Sequence, residues 1–252
     1  MSDEAIKQEL KSLLKRVTAN TSKEELDILK KEFKTVFEGA DPMLIAAAEA
    51  ELLKEGGSIE DLMKACDVHL ELFKDSIKNP QLKVPDGHPI KIFQEDHKNI
   101  LFIMEKLVDE IKEAEKQDNY DDAKVEIMMI EKLVNRLMEA ENHNVRQENT
   151  LFPVLEKHGI EQPPQIMWHE HTEMKAQKKE LLKLINDRKN YEFKDFLKRA
   201  LALSVMLLEK FGGHTQKEEH ILYVTAMNVI TDDEWKDIKE ECDNLGYFAP
   251  GL

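Results

Sequence analysis

From Ile90 to Ile111 the apolar residues Ile90, Phe93, Ile100, Met104, Leu107 and Ile111 recur three and four apart, and the one slot of that stripe without an apolar side chain holds His97. Such spacing marks one face of an α-helix turned toward a core. A helix built this way has to bury an imidazole among its aliphatic side chains. The conflict recurs further on. His171 falls on the line Met167, Met174, Leu181, Ile185, and His214 on the line Leu207, Phe211, Glu218, Ile221. No run alternates as a half-buried strand would, and Leu, Lys, Glu, Ala and Met dominate while Gly and Pro are sparse. The expected fold class is all-α.

Start and stop signals divide the helices into two groups. Ser22 with Glu25 forms a capping-box pattern, Asp41-Pro42 opens a third helix, and Ser58 caps a fourth that runs to Asn79-Pro80. Residues 1–80 therefore read as a small four-helix amino-terminal domain, and 81–87, with Pro85 and Asp86-Gly87, as a linker. From 88 to 230 four longer helices with short turns describe an up-down four-helix bundle. Thr231-Asp-Asp-Glu234 caps one more helix, and 231–252 is expected to pack on the bundle with Tyr247 and Phe248 in its tail.

Composition removes several function classes. A formal charge of −15 spread along 252 residues argues against nucleic acid, whose phosphates need a basic stripe. Cys66 and Cys242 are the only cysteines, too few for a disulfide framework. No apolar run approaches the roughly 20 residues that span a bilayer. With no secretory signal at Met1-Ser-Asp-Glu-Ala, a reducing cytoplasm is expected. Hydrolytic chemistry lacks a nucleophile with a base at fixed spacing, and there is no phosphate loop.

A lone histidine on an apolar face is more often a hydrogen-bonded core residue than a ligand. Several imidazoles aimed into one core are costly to desolvate, and a divalent metal is the usual recipient of their lone pairs. His214 and Glu218, four apart, share a helix face and supply nitrogen and oxygen together. His97 and His143 each lie about 20 residues from the turn between the first two bundle helices, so antiparallel pairing sets them at one depth. The candidate metal ligands are His97, His143, His171, His214, Glu218 and Glu148. Glu148 is the difficult one, because five residues rotate a regular helix by about 500° and point it roughly 140° away from His143. A π-bulge between them would realign the two; Glu139, or no carboxylate from this helix, are the alternatives. His169 with Glu173 reads as a solvated pair, His158 and His220 as structural, and His88 as a cap or hinge. Cys66 and His69, three apart, raise a second site or a redox switch, against the plainer reading of Cys66 as a small core hydrophobe. Ferritin-like di-iron bundles use Glu-x-x-His, and no histidine here has glutamate three residues before it.

Glu95-Asp-His97-Lys-Asn-Ile100, His143 with Leu151-Phe-Pro153, Glu170-His171 and His214-x-x-x-Glu218 together resemble a hemerythrin-like, or HHE cation-binding, domain over about 88–230. The resemblance implies a four-helix bundle with a non-haem iron centre of two ions, held by histidines and bridging carboxylates. It also implies binding of dioxygen, nitric oxide or iron for sensing, carriage or iron-centre repair. Such families usually repeat His-x-x-x-Glu on the second helix, where this chain has Gln147 four residues after His143. The amino-terminal segment around Cys66-Asp-Val-His69 is similar to a small helical domain of unassigned function that often precedes these bundles. An oxidase or peroxidase activity at the iron stays open. The rival function is a helical interaction module with a degenerate or mononuclear metal site, and the protein partner is not specified by any motif.

Overall fold

The computed structural model describes residues 82–248 throughout and, ahead of them, residues 3–16, 22, 24–25, 27–29, 31–32, 48, 51–52 and 55. Helix α1 spans Asp3–Arg16. Leu10, Leu13 and Leu14 are its buried face, and Lys11 donates to Glu51 and Glu55. The Ser22–Glu25 capping box forms, with the Glu25 amide on Ser22 Oγ and the Ser22 amide on the Glu25 carboxylate. The expected second to fourth helices of this segment, and Cys66 and His69, lie mostly or wholly outside the described residues.

By internal contacts the chain forms two compact units, one of residues 1–83, 154–167 and 216–230, the other of 84–153, 168–215 and 231–252. Among the described residues the structure is helical with no strand. Helix α2 is Pro89–Ala114. The second run comprises α3 (Lys124–Glu139), α4 (Glu141–Arg146), a π segment (Gln147–Leu151) and α5 (Phe152–Lys157). The third is α6, Gln162–Asn186. The fourth comprises α7 (Phe193–Lys217), a second π segment (Glu218–Leu222) and α8 (Tyr223–Val229). Helix α9, Asp232–Leu245, follows the expected Thr231–Glu234 capping box. These runs make an all-α up-down four-helix bundle.

The core of the second unit is the predicted stripe made real. Ile100, Met104, Leu107 and Ile111 of α2 pack with Ile130, Leu133 and Leu137 of α3, Leu181 and Ile185 of α6, and Phe196, Leu207 and Phe211 of α7. Burying each such side chain contributes about 1.5–3 kcal/mol. His88 caps α2, its Nδ1 accepting from the Ile90 amide at 3.2 Å. At the far end Tyr120 Oη donates to the carbonyls of Arg188 and Tyr191, tying two turns together. Phe248 joins the core.

Candidate metal centre

Four histidines, one from each helical run, are buried to 2 % exposure or less: His97 on α2, His143 on α4, His171 on α6 and His214 on α7. The equal-depth argument holds, because the His97 and His143 rings meet edge to face at 4.9 Å between centroids. The His171 and His214 rings meet likewise at 4.8 Å. The imidazoles thus form two pairs.

Three of these rings have Nδ1 on a carboxylate from another helix. His143 faces Asp96 at 3.2 Å, His171 faces Glu148 at 2.8 Å, and His214 faces Glu170 at 2.7 Å. A carboxylate on one ring nitrogen holds the proton there and leaves the lone pair on the other. For His171 and His214 that other nitrogen is Nε2, and their two Nε2 atoms stand 3.1 Å apart. Two acceptors cannot hydrogen-bond each other. Imidazole-to-metal bonds are ~2.0–2.1 Å, so two nitrogens at right angles on one ion would stand about 3.0 Å apart. The donor set fits a divalent transition metal.

The carboxylate of Glu218 completes the arrangement. It is fully buried and belongs to both groups of metal-competent atoms among the described residues: His97, His143 and Glu218, and His171, His214 and Glu218. In each group the ligand atoms lie within 4.8 Å of one another. Tyr223, also fully buried, donates its hydroxyl to Glu218 Oε2 at 2.9 Å. Rings of Phe93, Phe152 and Phe211 stand against His143, His171 and His214 at centroid distances of 5.6, 5.8 and 6.2 Å. Imidazole edges and one carboxylate therefore sit inside an apolar wall.

Both π segments begin four residues after a histidine, at Gln147 and at Glu218. The Phe152 amide reaches the Gln147 carbonyl and the Tyr223 amide the Glu218 carbonyl, the five-residue closure that defines a π-turn. In the first, the side chains of Asn149 and Thr150 donate back to the carbonyls of Val145 and Arg146 at 2.7 Å each, serving backbone groups where the ladder shifts. A π segment does run through Glu148, but it begins at Gln147, after an ordinary α-turn from His143 to Gln147. Its effect differs from the expected one, since it turns Glu148 toward His171 on the neighbouring helix. The residue beside His143 is Gln147, whose Nε2 lies 3.1 Å from Nε2 of His143.

Other histidines lie where the sequence suggested. His169 pairs with Glu173 at 3.6 Å on a part-exposed face, His158 is exposed just before Gly159, which has φ +79, and His220 bonds Gln216 at 2.9 Å. Glu139 is exposed and paired with Arg136. Sequence reasoning overlooked Asp96, Glu170, Arg146 and Tyr223. Burial alone would raise the Asp96 carboxyl, but the hydrogen bond and charge of His143 and the charge of Arg146 together hold it below the usual carboxylate range.

Residues 88–226 match the hemerythrin HHE cation binding domain, and residues 10–79 match a family of unknown function (DUF438). No curated protein matches the chain.

Proposed function

The chain belongs to the hemerythrin HHE cation-binding family through more than half its length, and on that premise we propose that it binds two non-haem iron ions and, through them, a small diatomic ligand. One ion would be held by His97 and His143, the other by His171 and His214, with Glu218 common to both. The observation that carries this reading is the shared carboxylate between two histidine pairs. Asp96, Glu148 and Glu170 orient the imidazoles, so Glu148 acts on His171. Non-haem iron supplies reversible coordination of dioxygen or nitric oxide and one-electron exchange. The phenylalanine walls exclude water and favour a small, weakly polar ligand over a hydrated anion. Sensing, carriage and iron-centre repair all use that property, and no hydrolytic role is proposed.

A single ion is the second reading. It is favoured by Gln147, a neutral amide where the family's second helix usually offers a carboxylate, because an amide oxygen balances less metal charge. We further propose that residues 1–80 form a separate small domain, 81–87 a linker, and 231–252 a cover for the bundle. A cytoplasmic location fits the two cysteines of the chain; among the described residues no helix is long and apolar enough to cross a membrane.

The test is spectroscopic. Protein reconstituted with Fe(II) under anaerobic conditions is expected to develop new near-ultraviolet or visible absorption on exposure to dioxygen or nitric oxide, reversed on removing the gas in a carrier or sensor. Iron-loaded protein whose spectrum neither gas changes would overturn the diatomic-ligand reading.

A further inference from the structure

Among the described residues Arg146 is the largest fully buried side chain, one residue before the first π segment and three after His143. A buried guanidinium carries a desolvation cost of several kcal/mol unless its partners are arranged around it. They are. Its Nη2 donates to Oδ2 of Asp96, the same oxygen that faces Nδ1 of His143. Its Nε donates to Asn142 Oδ1 at 3.0 Å. One face lies over the Phe93 ring at 5.4 Å and the other contact is the Tyr247 ring at 4.8 Å. Tyr247 in turn donates its hydroxyl to Asp243 at the end of α9.

From this arrangement we propose that Arg146 is a positioning residue for His143, and that Tyr247, from beyond the family-matched segment, is part of the same device. The inference rests on the metal-binding reading above. Asp96 can fix the His143 tautomer only while it is ionised and aimed, and Arg146 supplies both the compensating charge and the aim. Tyr247 covers the guanidinium and keeps water from competing for Asp96. The carboxy-terminal helix is thereby coupled through Arg146 to one histidine pair, His97 with His143; its other contact near the site is Cys242 against Thr150 at 3.6 Å, in the π segment that carries Glu148. Changes at residues 243–248 should register as changes in metal affinity at that pair.

A Co(II) titration of apo-protein tests this, with visible ligand-field absorption as the signature and melting of the apo-protein as the control. Arg146→Met keeps volume and removes charge. It is expected to weaken one class of Co(II) site roughly 10–100-fold, leave the other class as in wild type, and lower the apo melting temperature, since it breaks the buried pair with Asp96 from one side. Arg146→Lys should restore part of the lost affinity, and Tyr247→Ala should shift the same class by a smaller factor. Two unchanged Co(II) sites in Arg146→Met, or equal weakening of both, would overturn the proposal. Wild-type protein that binds no Co(II) and no Fe(II) would instead overturn the metal reading on which it rests.

Discussion

Nε2 of His171 and Nε2 of His214 face each other across 3.1 Å, each ring having its Nδ1 on a carboxylate. Two buried lone pairs so placed repel, and a cation between them turns that repulsion into binding. Metal removal should therefore destabilise the fold. With free metal at about 100 times its dissociation constant the native state gains about 2.7 kcal/mol per site. Differential scanning calorimetry of chelated and metal-loaded protein should give a clearly lower melting temperature for the chelated form; identical curves would contradict the assignment.

Glu148 is expected to act through His171. Glu148→Ala should weaken metal binding roughly 10–100-fold without abolishing it, and Glu148→Gln, which keeps an acceptor for the Nδ1 proton, should weaken it less. Glu139→Ala, an exposed change, should do nothing measurable. Competition against a chromogenic chelator reads all three; complete loss in Glu148→Ala would show that Glu148 itself ligates the metal.

Much of this was legible before any coordinates. The 90–111 stripe specifies a core helix with His97 in it, and equal distance from one turn brings His97 to His143; the five-residue gap from His143 to Glu148 raises a π-turn as one option, and a π segment occurs at Gln147–Leu151, though it does not bring Glu148 to His143. The second π segment was not legible, because His214 and Glu218 are four apart and already share an ordinary helix face. Nor were the partners Asp96 and Glu170. Each immediately precedes a candidate ligand, so its side chain points about 100° away on its own helix, and only the packing of the neighbouring helix shows that it meets a different histidine. Arg146 reads as a surface arginine until Asp96, Phe93 and Tyr247 are seen around it.

Lys178 is buried against Glu141, at the start of the short helix that carries His143. Burial pushes the Lys178 ammonium below its usual range, opposed by the charge and hydrogen bond of Glu141. Breaking such a pair from one side costs about 3–5 kcal/mol. Lys178→Met is expected to lower the urea midpoint accordingly, and adding Glu141→Gln should recover most of the loss. A single variant as stable as wild type would remove this pair from the account.

His88 caps α2 through the lone pair on Nδ1 and stacks at a tilt on Trp235 with centroids 4.6 Å apart. Burial holds its imidazole below the usual value. The unfolded chain therefore takes up this proton first as pH falls, so the contribution is complete above about pH 6.5 and is lost progressively below it. His88→Asn keeps a cap acceptor that does not titrate. Melting temperatures of the two proteins, compared between neutral and mildly acid pH, should converge or cross on acidification, with wild type losing more. Parallel curves would exclude His88 as the titrating cap.

The central claim is that four histidines and Glu218 hold two metal ions, and the most direct measurement is metal content after anaerobic Fe(II) reconstitution and removal of excess, for wild type and Glu218→Ala. Wild type is predicted to retain about two iron ions per chain, the number offered by two histidine pairs around one carboxylate, and Glu218→Ala to lose affinity at both. A wild-type chain that retains no iron, or a Glu218→Ala chain that retains both ions as tightly as wild type, would contradict it.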